Sequence, residues 1–127
     1  MILIDSYGWI EYFAEGSLAD KYAQFVEEAS IEDTLTPTIV IYEVYRKIKK
    51  MKGEERALEA YAQISRTRIV ELTESLSLQA ADISLKVGLG LADSIVAATA
   101  KAYNAEIITG DRHLKEAENV KFIGNDH

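Results

Sequence analysis

Short apolar runs, each cut off by a polar residue, alternate along this 127-residue chain with segments of helical period. That alternation restricts the fold more than any other feature. Ile2-Leu3-Ile4 stops at Asp5, and Ile107-Ile108 leads through Thr109-Gly110 into Asp111. Ile69-Val70-Glu71-Leu72 and Val120-Lys121-Phe122-Ile123 are similar runs, and Thr34-Leu35-Thr36 is a further strand candidate. Continuous β-branched runs of this length suit strands covered on both faces. Between them, apolar residues recur at spacings of three and four. Trp9, Ile10 and Phe13 share one helical face, with Ser6 placed to cap it and Gly16 to stop it. Leu18, Tyr22, Phe25 and Val26 share the face of a second helix, over about 17 to 29.

Pro37 is tolerated only near a helix start, so the next helix begins about Thr36-Pro37-Thr38 and runs to about Met51, burying Ile41, Val44, Tyr45 and Ile48. After Gly53, a helix over 54 to 66 carries Ala57, Leu58, Tyr61 and Ile64. Thr73 or Ser75 caps another that buries Leu78, Ala81, Ile83 and Leu85 and ends near Gly88. A small-residue helix follows from Leu91 to Tyr103, and a short one from Arg112 to Ala117. Strands alternating with helices predict an α/β fold: a three-layer α/β/α domain with a central parallel sheet.

The length suits a single domain over residues 1–127 with a core of its own. With no cysteine and only two histidines, disulfides, thiolate zinc sites and histidine-rich metal sites are excluded or disfavoured. Asp5 interrupts the first apolar run before it can serve as a signal segment, and no stretch approaches the roughly 20 apolar residues of a membrane span. A cytoplasmic protein with no membrane association is expected.

Parallel sheets bind ligands outside the carboxyl ends of their strands, where Asp5 and Asp111 both belong. Asp93 opens the Leu91–Tyr103 helix, and Glu43 lies beside the apolar stripe of its own helix, where a carboxylate needs a partner. Four acids gathered at one edge repel each other, and a hard divalent cation is the usual means of neutralising them. Three of the acids also have a plainer explanation, and Glu43 is the hardest to explain that way. Asp93 complements a helix dipole, and Asp5 and Asp111 are ordinary turn or cap residues.

Four segments in order resemble the PIN-domain ribonucleases, and in length and layout the VapC-type toxins of toxin–antitoxin pairs: Ile2-Leu3-Ile4-Asp5-Ser6, Ile41-Tyr42-Glu43-Val44, Gly88-Leu89-Gly90-Leu91-Ala92-Asp93-Ser94 and Ile108-Thr109-Gly110-Asp111-Arg112-His113-Leu114. The resemblance covers essentially the whole chain. It implies a Mg2+- or Mn2+-dependent endoribonuclease with Asp5, Glu43, Asp93 and Asp111 around the metal. Asp5 and Asp93 are expected as the most direct ligands, with Glu43 and Asp111 acting through water. Thr109 and Ser6 are the hydroxyls placed to orient a carboxylate or a bound water, although a local backbone role suits Thr109 equally well and Ser6 better. Coordination of Mg2+ by His113 is not expected, because that ion prefers oxygen. The resemblance also implies a homodimer and a cognate antitoxin laid across the acidic groove.

A net charge of −7 argues against an RNA partner, yet the charge is uneven. Eight basic residues against three acids fall between Arg46 and Arg68, a local +5 that leaves −12 elsewhere. Five of the seven residues from Arg46 to Lys52 are basic, one helical turn beyond Glu43. Together they suit an RNA backbone, although singly each fits a solvated helix end. Arg46 and Arg112 are the candidate phosphate contacts. Trp9, Tyr12 and Phe13 fit core or subunit packing better than base stacking. Two readings compete with the toxin: a PIN-domain nuclease of RNA maturation, and a catalytically silent module whose acids hold a partner's arginines. The absence of a Gly-x-x-x-x-Gly-Lys-Ser/Thr loop excludes a P-loop hydrolase.

Overall fold

The computed structural model describes residues 1–124, so the last three residues of the expected domain lie outside it. Five strands, β1 (Ile2–Ile4), β2 (Thr34–Pro37), β3 (Arg68–Val70), β4 (Glu106–Thr109) and β5 (Val120–Phe122), form one sheet in the order β3-β2-β1-β4-β5. Every pairing is parallel, with Leu3 beside Leu35 on one side and Ile107 on the other. Leu3, Ile4, Leu35, Ile107 and Ile108 are all fully buried, which is why their runs are continuous rather than alternating.

Six helices connect the strands: α1 (Ser6–Phe13), α2 (Ala19–Glu27), α3 (Thr38–Lys52), α4 (Glu54–Ile64), α5 (Glu74–Val87) and α6 (Leu91–Tyr103). They pack in sequential pairs, α1 with α2, α3 with α4 and α5 with α6. Right-handed crossovers put the first four on one face and α5–α6 on the other. Trp9 anchors α1 under β1, with its indole N–H donating to the Ile4 carbonyl at 3.1 Å. Gly8 lets this helix approach, since a Cβ there would stand 2.9 Å from Ile4 Cγ2 and from the Tyr22 ring.

Several local expectations change. Asp5, not Ser6, occupies the N-cap position of α1, and Ser6 is the first helical residue. In α3 Val44 and Ile48 are buried as predicted and Val40 completes the stripe, while Ile41 and Tyr45 are only half-buried. In α4, Ala60 is buried while Leu58 and Tyr61 face out. Thr73 caps α5, its hydroxyl accepting from the Leu76 N–H at 3.1 Å. However, α5 buries Leu76 and Ala80, leaving Leu78 70% and Leu85 88% exposed. Those two leucines face away from the core. The helix predicted after Asp111 is a single 3-10 turn, Arg112–Leu114.

Candidate metal and nuclease site

The chain reverses its direction of travel across the sheet at β1. Connections from β1 lead toward β3 on one side, and the crossover from β3 returns to β4 on the other. Loops leaving β1 and β4 therefore diverge and open a crevice at the carboxyl edge. Asp5 follows β1 directly, and Asp111 follows β4 after one intervening glycine. Helix α6 leads into β4, so its first turn, with Asp93, lies at that edge. Helix α3 leaves the end of β2 and carries Glu43 in its second turn. Four separate elements thus bring the four predicted acids to one rim.

Thr109 organises the crevice. Fully buried, it donates its hydroxyl to Asp5 Oδ2 at 2.5 Å and accepts the Asp111 N–H at 2.9 Å. Gly110 completes the turn because a Cβ there would meet Tyr7 Cε1 at 2.5 Å and the Tyr22 hydroxyl at 2.6 Å. That tyrosine hydroxyl donates to the Ile123 carbonyl at 2.8 Å, tying the chain after β5 to the same corner. Burial of Trp9 and Tyr22 below the turn explains the aromatic first helices: they pack the floor of the site.

The Asp5 carboxyl is almost wholly buried, and its Oδ1 has no hydrogen-bond partner among the described residues. Burial is the main cause that pushes its pKa from 3.8 up to about 7. The Thr109 hydrogen bond and the Gly8 N–H oppose that rise, while the charges of Asp111 and Asp93 add to it. Asp93 is raised to about 6, first by burial, then by the charge of Asp111, by a hydrogen bond with it and by Glu43, against a lowering influence of His113. Mutual repulsion therefore links the four acids.

Asp93 and Asp111 also share a tighter grouping with His113, each of the three offering a ligand atom within 4.8 Å of the others. Asp5 and Glu43 stand outside that grouping. His113 is the residue that sequence reasoning set aside. Its ring Nδ1 lies 3.0 Å from Asp111 Oδ1, which also accepts the His113 backbone N–H at 2.8 Å. The signal was the two-residue spacing, since a 3-10 turn capped by Asp111 folds residue 113 back onto residue 111. Ser6, by contrast, makes no side-chain hydrogen bond among the described residues.

The donor set fits a hard divalent ion. It offers anionic oxygens, one of them buried and unpartnered, in a place where ionised carboxylates are costly without a counter-charge.

The basic segment divides. Arg56 is engaged by α1 and α4, donating to the Phe13 carbonyl at 3.0 Å and pairing with Glu59 at 2.7 Å. Arg68 stacks over Tyr103 at 5.1 Å and begins β3, at the opposite edge of the sheet from the acids. Arg46, Lys47, Lys50 and Lys52 stay exposed on α3. At roughly 1.5 Å of rise per residue, Arg46 lies about 4.5 Å and Lys52 about 13 Å along the axis from Glu43. Beside this stripe is a cavity of about 510 Å³ lined by Ile41, Tyr42, Tyr45, Arg46, Lys49 and Lys50. Arg112 is exposed immediately after Asp111.

A family model described as the PIN domain matches residues 2–120. Among solved structures, a chain of a toxin–antitoxin complex from Klebsiella pneumoniae is 23% identical, with a TM-score of 0.77 over 95% of this chain and 96% of that one. VapC20 of Mycobacterium tuberculosis, described as a sarcin–ricin loop cleaving toxin, is 15% identical, with a TM-score of 0.72 over 84% and 85%. A chain of DNA-bound VapBC from Salmonella typhimurium is 14% identical, also with a TM-score of 0.72, over 98% of each. At these identities the likeness is one of fold. No curated protein matches in sequence.

Proposed function

The chain belongs to the PIN domain family, and from that membership and its carboxylate geometry we propose that it is a metal-dependent endoribonuclease, the toxin of a toxin–antitoxin pair. One observation carries the reading. A buried Asp5 with an unpartnered oxygen lies within electrostatic reach of two further acids at the crevice between β1 and β4. Such an arrangement costs stability unless a cation or retained protons neutralise it.

Asp5, Glu43, Asp93 and Asp111 would hold Mg2+ or Mn2+, directly or through water. When bound, such an ion would polarise phosphoryl oxygens and lower the pKa of its bound water, favouring a hydroxide-like nucleophile. Thr109 fixes the Asp5 carboxylate and, through the Asp111 N–H, the start of the following turn, so two acids keep one spacing. Arg46 and Arg112 are assigned to substrate phosphates, with the rest of the α3 stripe adding long-range attraction. Ser6 keeps a supporting place only as the residue that starts α1 beside Asp5.

Partner assignments follow the same reading. The solved relative from Klebsiella pneumoniae is described as part of a toxin–antitoxin complex, and a cationic antitoxin segment laid on this carboxylate rim is electrostatically favourable. Pairing into a homodimer is supported by the exposed leucines of α5 together with Leu91, which is 76% exposed. No single helix among the described residues is long and apolar enough to cross a membrane, in keeping with RNA met in the cytoplasm.

Purified protein should cleave RNA with Mg2+ or Mn2+ and lose at least ~100-fold of that rate in Asp5→Asn, as removal of a metal-site carboxylate does. Undiminished cleavage in the variant, or in excess chelator, would remove the assignment. Antitoxin binding with no metal-dependent cleavage would favour the silent-module alternative.

A further inference from the structure

The proposed site contains one side chain that suits Mg2+ poorly. His113 Nδ1 and Asp111 Oδ1 lie 3.0 Å apart. In an octahedral ion with bonds of roughly 2.1 Å, adjacent ligand atoms are about 3.0 Å apart and opposite ones about 4.2 Å. The grouping of Asp93, Asp111 and His113 within 4.8 Å falls near those separations. A second, independent observation points to a ligand in the same crevice: the buried Oδ1 of Asp5, unpartnered among the described residues, whose carboxyl lies within electrostatic reach of Asp93 and Asp111. His113 itself is 84% exposed at the side chain, so the ring is held from one side only and turns without disturbing the core.

We propose that His113 is a nitrogen ligand of this site and makes it selective for first-row transition dications over Mg2+. The inference rests on the reading of the acids as a cation site and deepens it by naming the class of ion. Mg2+ favours an all-oxygen shell, whereas imidazole raises affinity in the order Mn2+ < Fe2+ < Co2+. Coordination through Nδ1 requires the tautomer with its proton on Nε2, which the exposure of this side chain allows. Asp111 Oδ1 has two lone pairs, so it accepts the His113 backbone N–H at 2.8 Å and still presents a pair to an ion.

Titration calorimetry of the protein with MgCl2, MnCl2 and CoCl2, and pulsed electron paramagnetic resonance of bound Mn2+, test this without reference to cleavage. The wild-type protein should bind Mn2+ and Co2+ at least ~10-fold more tightly than Mg2+. His113→Ala should weaken Mn2+ and Co2+ about 10-fold while leaving Mg2+ within about twofold. Nitrogen-14 modulation of the Mn2+ signal should vanish in His113→Ala and persist in His127→Ala, the control for the only other histidine. Equal weakening of Mg2+ and Mn2+ in His113→Ala would overturn the proposal, because the ring would then act only by positioning Asp111. Absence of nitrogen modulation in the wild type would overturn it too. Equal affinity for all three ions, with metal-dependent cleavage intact, would defeat this inference and leave the nuclease standing. Binding of none of them would defeat both.

Discussion

Thr109 joins Asp5 to Asp111 through a hydroxyl that donates to one and accepts from the next. Thr109→Val keeps the shape and removes both bonds, leaving the Asp5 carboxylate with no side-chain partner. Cleavage should fall ~10–100-fold, the usual effect of losing a group that orients a metal-binding side chain. Circular dichroism should show the fold retained, and an unchanged rate would mean that Asp5 needs no such support. The raised pKa of Asp5 gives a second prediction at this scale. Its folded value is about 7 against 3.8 for an unperturbed aspartate carboxyl. Between those values the metal-free native state keeps a proton that the unfolded chain has lost. Stability therefore falls as pH rises through the window, by at most ~1.4 kcal/mol per pH unit for one group. Urea midpoints of metal-free wild type, measured relative to Asp5→Asn, should decline from about pH 4 to 7, and added divalent cation should restore them at pH 7 to 8. A relative midpoint that climbs across that window would contradict the assignment.

Elements decide which charges reach the site. Helix α3 starts at the carboxyl edge and runs away from it, so its basic residues leave the acids at 1.5 Å per residue instead of lining them evenly. Arg46 and Lys47, one turn from Glu43, should matter most, and Lys52 least. Arg46→Ala should weaken RNA binding and lower the salt slope by about one, whereas Lys52→Ala should change both less. Filter binding at several salt concentrations measures this, and equal effects at 46 and 52 would show that the stripe acts only as diffuse charge. The same element scale explains why the basic segment looked continuous in sequence. Net charge over 46 to 68 does not distinguish Arg56, tied to Phe13 and Glu59, from Arg46.

At the scale of the whole molecule, the exposed face of α5 is the largest departure from expectation. Leu78 and Leu85 are seven residues apart with Ala81 between them, an arrangement that meets its own copy well across a two-fold axis, where the alanine allows close approach. Leu85→Glu should convert a dimer to a monomer in light scattering while leaving divalent-cation binding intact. A wild-type protein that is already monomeric at micromolar concentration would refute this.

Much of the molecule was legible because its signals are local. Ile2-Leu3-Ile4 and Ile107-Ile108 announce buried parallel strands, and the alternation with helices dictates the layers and brings Asp5 and Asp111 to one edge. The identity of the helix faces was less legible. In α3, α4 and α5, apolar residues occupy more than one face, and period alone cannot say which face meets the sheet. By itself the sequence determined the α/β class and the strand and helix order, and it singled out the four candidate acids, because those depend on patterning over a few residues. Only the tertiary structure decided that Thr109 bridges two acids 104 and 2 residues away, that Asp5 is buried with an orphan oxygen and that His113 folds back on Asp111. Those facts depend on strand order and turn geometry, which join residues far apart in the chain, and on desolvation, which exists only once the core has closed.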